Sequence, residues 1–201
     1  MIGFLASQRV KSVRLRKGYP FYTKGDFNLN IIGIRGNQRV ANSFDDNILC
    51  IYKERGIWIC QDYKATTDCG TYWLKNPMRN SGSALLVPKH YRGVYKLDLH
   101  NGKYTSLCQR LGDVEVYRDN NRDNVLDLDP STIEKGRFGI NIHRSNPSVA
   151  SKRVDKWSAG CQVFADPDQF NQFINICKKS SSIFGNRFSY TLLTIKDFEN
   201  E

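Results

Sequence analysis

From Asn30 onward the chain returns repeatedly to short runs rich in β-branched and aromatic residues, each cut off by turn formers. The runs are Asn30–Ile34, Ile48–Lys53, Trp58–Tyr63, Thr71–Leu74, Ser83–Pro88, Gly93–Leu99, Val114–Tyr117, Phe138–Ile142, Gln162–Phe164 and Tyr190–Ile195. Between them lie Arg35-Gly36-Asn37, Glu54-Arg55-Gly56, Asn80-Ser81-Gly82 and Asn101-Gly102. Runs this short at this spacing predict a mainly β fold, a sandwich or barrel, with one or two short helices. Glu54-Arg55-Gly56 predicts a hairpin joining the second and third runs. One segment breaks the pattern: Asp166-Pro167 reads as a helix N-cap and first turn. Phe170, Phe173, Ile174 and Cys177 then share a face, and Lys178-Lys179 are expected in the last turn.

At 201 residues, 40% hydrophobic and 25% charged, the chain can build a core without disulfides or a structural metal. No stretch approaches the roughly 18 apolar residues of a membrane span. The N-terminus reaches Arg9 before an apolar core forms, so no secretory signal is expected and synthesis in the cytoplasm is. The net charge of +10 is uneven: residues 1–40 hold eight Lys/Arg against Asp26 alone. That contrast divides the chain into a loosely attached basic segment, 1–40, and a body, 41–201. A basic segment suits an anionic partner such as nucleic acid, wall polymer or membrane surface. A solvated edge is the competing reading, and no nucleic-acid motif follows it. The six cysteines (Cys50, Cys60, Cys69, Cys108, Cys161, Cys177) include no Cys-x-x-Cys, which argues against structural zinc and favours reduced thiols.

Chemistry gathers around two segments. Phe138-Gly139-Ile140-Asn141-Ile142-His143-Arg144 is a β-type run ending in histidine, and 18 residues from that histidine stands Cys161, within Trp157-Ser158-Ala159-Gly160-Cys161-Gln162. A thiol needs a neighbouring base to act as a nucleophile at neutral pH. The small-residue turn before Cys161 leaves room for backbone amides to converge on an oxyanion. The polar loop between the two segments is long enough to wall a cleft.

This arrangement, a His followed after about 14–18 residues by Ser/Thr-x-Gly-Cys, resembles the L,D-transpeptidase catalytic domain, the YkuD-like fold. Thr67-Asp68-Cys69-Gly70-Thr71-Tyr72 resembles the family's upstream Thr-Pro-x-Gly-x-Phe/Tyr element, with Asp68 in place of Pro. The resemblance spans about residues 43–165. It implies Cys161 as nucleophile, His143 as general base oriented by the Arg144 carbonyl, Gly160 and Cys161 amides as oxyanion hole, and Ser158 shaping the turn. Trp157 and Gln162 are the expected substrate contacts. Ala159 stands where the family commonly has His, and Gln162-Val163 where it commonly has Arg or Asn. The whole pattern also resembles uncharacterised proteins of phages that infect gut bacteria, which implies virion proteins as partners and a place in the virion or at the cell wall.

The implied activity is cysteine-dependent attack on peptidoglycan peptide stems through a thioacyl-enzyme, as a phage-type L,D-peptidase, endolysin-like, or as an L,D-transpeptidase. The alternative is a structural or binding protein that keeps the fold. A working Cys161 is expected to alkylate well below the ordinary thiol pKa of about 8.5 and faster than the other cysteines. No cofactor is required. A second constellation, Asp119, Asn121, Asp123 and Asp127, places oxygens at positions 1, 3, 5 and 9 of a calcium loop. It lacks the glycine at position 6, where Asn124 stands, and has Pro130 at the position of the bidentate Glu, so a solvated turn competes. His90 and His100 are expected at the surface or at strand ends, and Trp58 and Trp73 in the core.

Overall fold

The computed structural model describes residues 2–199. It contains helices α1 (Ile2–Arg16), α2 (Thr71–Lys75) and α3 (Pro167–Phe184). The first seven strands are β1 (Asn30–Arg35), β2 (Asp46–Glu54), β3 (Ile57–Thr66), β4 (Ser83–Leu86), β5 (His90–His100), β6 (Tyr104–Gln109) and β7 (Val114–Asp119). The remaining four are β8 (Glu134–Gly136), β9 (Ile142–Arg144), β10 (Gln162–Phe164) and β11 (Phe188–Thr194). Eight strands close a barrel in the order β1-β11-β5-β6-β9-β10-β3-β2, and β4-β7-β8 form a separate small sheet. The mainly β expectation is thus met as a barrel. Within it β1 pairs with β11, and β9 with β10, in parallel.

The β2–β3 hairpin forms where the turn residues put it. Arg55 and Gly56 both take positive φ, 53° and 77°, the mirror-image turn that follows the strands' own twist. Asp26 pins it, its carboxylate accepting from the amides of Arg55 (2.6 Å) and Gly56 (3.1 Å).

Strand alternation sorts side chains onto two faces. On one, Ile31, Ile48, Cys50, Tyr63, Phe164 and Tyr190 meet the buried face of α3: Phe170, Phe173, Ile174 and Cys177. The helix starts as expected, with the Asp166 carboxylate accepting from the Asp168 amide at 2.8 Å. It runs on to Phe184, so Lys178 and Lys179 lie mid-helix, and Gly185 at φ +84° ends it. On the other face, Ile32, Leu49, Ile51 and Leu193 pack against Val10 and Val13 of α1 and against Phe198.

The described part of residues 1–40 carries a barrel strand and a helix packed through Val10 and Val13, and several of its charges are used structurally. Arg14, 1% exposed, donates to Asn30 Oδ1 (3.1 Å); Arg35, 3% exposed, pairs with Asp68 (2.8 Å) and donates to the Leu86 carbonyl (2.9 Å). Lys17 pairs with Asp197 at 2.6 Å.

Other local expectations are revised. Thr71–Leu74 folds as the short helix α2, because Gly70 caps it and only Leu74 needs burial, a demand one helical turn meets. Residues 138–141 are not part of a strand; β9 begins only at Ile142. Tyr104–Gln109 is a barrel strand that the sequence pattern missed. No helix among the described residues is long and apolar enough to cross a membrane.

Candidate active site

β9 and β10 run parallel with His143 opposite Val163, which sets Cys161, just before β10, beside Asn141. Ile140, Ile142 and Phe164 belong to the main core, so Asn141, His143 and Cys161 fall on the opposite face. There a cavity of about 510 Å³ opens, lined by Cys161, His143, Asn141, Ala159 and Trp157 together with Ser83 and Ala84 of β4.

The turn before Cys161 is tightly determined. Gly160 sits at φ +124°, and a Cβ there would collide with the Ala84 carbonyl oxygen, so only glycine fits. Ser158, fully buried, donates from its hydroxyl to the Cys161 carbonyl (2.8 Å) and accepts from the Gly160 amide (3.2 Å). The Ser158 carbonyl accepts from the Gly70 amide at 2.8 Å, tying the turn to the N-terminus of α2. Ser158 and Gly160 together fix the geometry of this turn. Of the two amides expected to hold an oxyanion, that of Gly160 is engaged by Ser158. The Cys161 amide has no hydrogen bond among the described residues.

His143, 4% exposed, has Nδ1 at 2.8 Å from the Arg144 carbonyl. A carbonyl only accepts, so this contact puts the proton on Nδ1 and the lone pair on Nε2. The Tyr104 hydroxyl donates to the same carbonyl at 3.3 Å. The Arg144 guanidinium lies 4.1 Å from the Tyr104 ring centroid, so Arg144 contributes its carbonyl to the histidine while its side chain packs on the tyrosine. A second imidazole joins the site: His100 stacks on His143 with ring centroids 4.1 Å apart and planes 24° from parallel. His100 Nδ1 accepts from Asn141 Nδ2 at 3.1 Å, and the Asn141 amide donates to Cys161 Sγ at 3.4 Å. The chain His143–His100–Asn141–Cys161 is continuous although no hydrogen bond joins Cys161 to His143 directly. Cys161 Sγ instead donates to the Gly139 carbonyl at 3.4 Å.

Burial keeps both the Cys161 thiol and the His143 imidazole neutral. It presses the His143 imidazole down to about 3, with the neighbouring His100 adding to the effect. It pushes the Cys161 thiol up to about 11 against the pull of the Asn141 amide. The low thiol pKa expected from a reactive cysteine is therefore absent in the resting site.

Trp157, 40% exposed, lines the cavity as expected, and Trp73, expected in the core, lines it too. Gln162 does not. One residue on from Cys161, alternation turns it to the other face. There, fully buried, its Oε1 accepts from the Tyr190 hydroxyl (2.8 Å) and its Nε2 donates to the Thr67 carbonyl (3.3 Å). Gln162 joins a buried polar network with Arg35, Asp46, Thr67 and Asp68 and lies off the cavity lining. That alternation was a signal available in the sequence. His100 gave no such signal, because its place beside His143 depends on β6 lying between β5 and β9.

Asp119, Asn121, Asp123 and Asp127 are brought together in one loop and are tied mainly to one another and to its backbone, while the buried Asp119 Oδ1 has no hydrogen-bond partner among the described residues. Asn121 Nδ2 donates to Asp123 (3.0 Å) and Asp127 (2.8 Å); Asp123 accepts from the Val125 amide (2.6 Å) and Asp119 from the Asp127 amide (3.0 Å). Among the described residues no three acidic, histidine or cysteine side chains are arranged to hold a metal ion. All six cysteines are free thiols.

Neither a family model, nor a curated protein, nor a solved structure matches this chain.

Proposed function

We propose that the chain is a cysteine-dependent acyl-transfer enzyme acting on peptide stems of peptidoglycan, as the L,D-transpeptidase-like motif implies. The observation that carries this reading is the His143 imidazole, held by the Arg144 carbonyl with its Nε2 lone pair free, opening on the same cavity as Cys161 Sγ. In the reaction Sγ bonds to an amide carbonyl carbon while its proton passes to His143 Nε2. The Cys161 amide donates to the oxyanion, and His143 returns the proton to the leaving amine as the C–N bond breaks. Water then resolves the thioester in a peptidase, and a second amine does so in a transpeptidase.

With the thiol near 11 and the imidazole near 3, burial disfavours a preformed thiolate–imidazolium pair, which suits proton transfer during attack. The test is mass spectrometry of tetrapeptide and cross-linked muropeptides incubated with the protein and with Cys161→Ala. Cysteine-dependent cleavage, trimming or exchange is the expected result. Unchanged muropeptides with both proteins, across several wall types, overturn it. They would favour the second reading, a virion structural or binding protein, whose support is the raised thiol and its lack of a direct bond to His143.

A further inference from the structure

The cavity wall carries Arg79, Arg110, Arg118 and Lys156, and no aspartate or glutamate among the described residues lines it. Two of these cations are already neutralised. Arg118, 7% exposed, holds Glu134 through Nε and Nη2, each at 2.9 Å, and Arg110 pairs with Asp98 at 3.1 Å. Arg79 and Lys156 form no ion pair with any described residue. Each rests on an aromatic ring: the Arg79 guanidinium 5.5 Å from the Phe138 centroid, the Lys156 ammonium 4.3 Å from that of Tyr72. A ring face steadies a cation without cancelling its charge or consuming its N–H donors. Both residues are anchored where they stand. The Arg79 carbonyl accepts from the Gly82 amide at 3.0 Å, and the Lys156 carbonyl from Trp73 Nε1 at 3.0 Å.

We infer that Arg79 and Lys156 make this cavity selective for peptides carrying free carboxylates beside the bond presented to Cys161, so that amidation of those carboxyls blocks recognition. The inference rests on the cavity being the substrate site, and it deepens that reading by naming the substrate class. Arg79 lies on the loop between α2 and β4, and Lys156 on the loop between β9 and β10, five residues before Cys161. Two single charges on separate loops match carboxylates spaced along a peptide. A phosphate is better met by a convergent set of donors. Guanidinium in particular takes a carboxylate through two parallel N–H bonds, which a carboxamide, itself half donor, cannot reproduce.

The test uses the full-length Cys161→Ala protein, which binds without turnover, and follows Trp157 fluorescence and heat of binding. The probes are a stem peptide with free carboxyls and the same peptide with those carboxyls amidated. The free acid is expected to bind at least tenfold more tightly, with the advantage shrinking as salt rises. Arg79→Gln and Lys156→Gln, both exposed positions that leave the fold intact, are each expected to remove part of the advantage, and together all of it. Equal affinity for the two peptides, no binding of either, or an advantage that survives the double substitution overturns the inference. So does displacement of the peptide by inorganic phosphate at equal concentration. Discrimination in binding without turnover by the unsubstituted protein keeps the inference and sinks the enzyme; equal turnover of both peptides does the reverse.

Discussion

At the scale of single residues, the chemistry of the cavity turns on where protons sit before substrate arrives. Cys161 carries its proton, and His143 holds one on Nδ1 and none on Nε2, because burial disfavours charge on either group. A thiol near 11 has a thiolate fraction that grows tenfold per pH unit below that value. Alkylation of Cys161 by iodoacetamide is therefore expected to be slow at pH 7 and to rise about tenfold per unit from pH 8 to 10. Peptide mapping by mass spectrometry measures it, and a plateau reached by pH 8 would show the thiol to be activated instead. The same scale shows what the sequence could and could not disclose. Cys161, His143, Ser158 and Gly160 were legible because a local turn and the pairing of two strands joined by a single loop bring them together. Gln162 lies away from the cavity, on the side to which strand alternation turns it. His100 was hidden because its stacking on His143 depends on strands distant in sequence.

Among elements, the packed N-terminal helix departs most from the charge-based reading. The basic residues of residues 1–40 masked an apolar face consisting of Val10 and Val13, which covers Ile32, Leu49, Ile51 and Leu193. Charge counts register the solvated side of such a helix and say nothing of the other. Val13 is fully buried, so Val13→Ala removes two methylene equivalents at about 0.8 kcal/mol each and leaves a cavity. A loss of about 2 kcal/mol is expected in urea unfolding, with the midpoint shifted and the slope unchanged; a loss below 0.5 kcal/mol would mean the helix is only lightly docked. The α3 helix was easier to read because its N-cap, its first-turn proline and its apolar face agree. Thr71–Leu74 was not, since a run with only three apolar or aromatic residues, Tyr72, Trp73 and Leu74, satisfies either period.

For the whole molecule, acid is the condition that most tests the fold. The His143 imidazole titrates near 3 when folded and about 6.5 when unfolded, so the unfolded chain binds the proton first. The stability it contributes is complete above pH 6.5 and is lost as pH falls toward 3, on the order of 4–5 kcal/mol in all. His90, pressed down to about 4 by burial, adds in the same direction. Asp68 opposes them: burial lifts its carboxyl to about 7 despite Arg35, so its share grows as pH falls from 7 to about 4. The histidine contribution is therefore read as a difference. Between pH 6.5 and 3.5 the melting temperature of the protein is expected to fall faster than that of His143→Gln, as followed by circular dichroism. Parallel curves would mean that His143 is protonated without strain.

The barrel's closure carries a temporal consequence. Strand β11 lies between β1 and β5, yet it follows every other strand in chain order. Until it is synthesised, β1 and β5 are two open edges with unpaired amides and carbonyls, a template for pairing with other chains. The turn before Cys161 can form locally before then, but Tyr190, whose hydroxyl holds the neighbouring Gln162, arrives only with β11. A nascent chain is thus aggregation-prone for most of its synthesis, and the buried polar network behind the cavity is the last part to set.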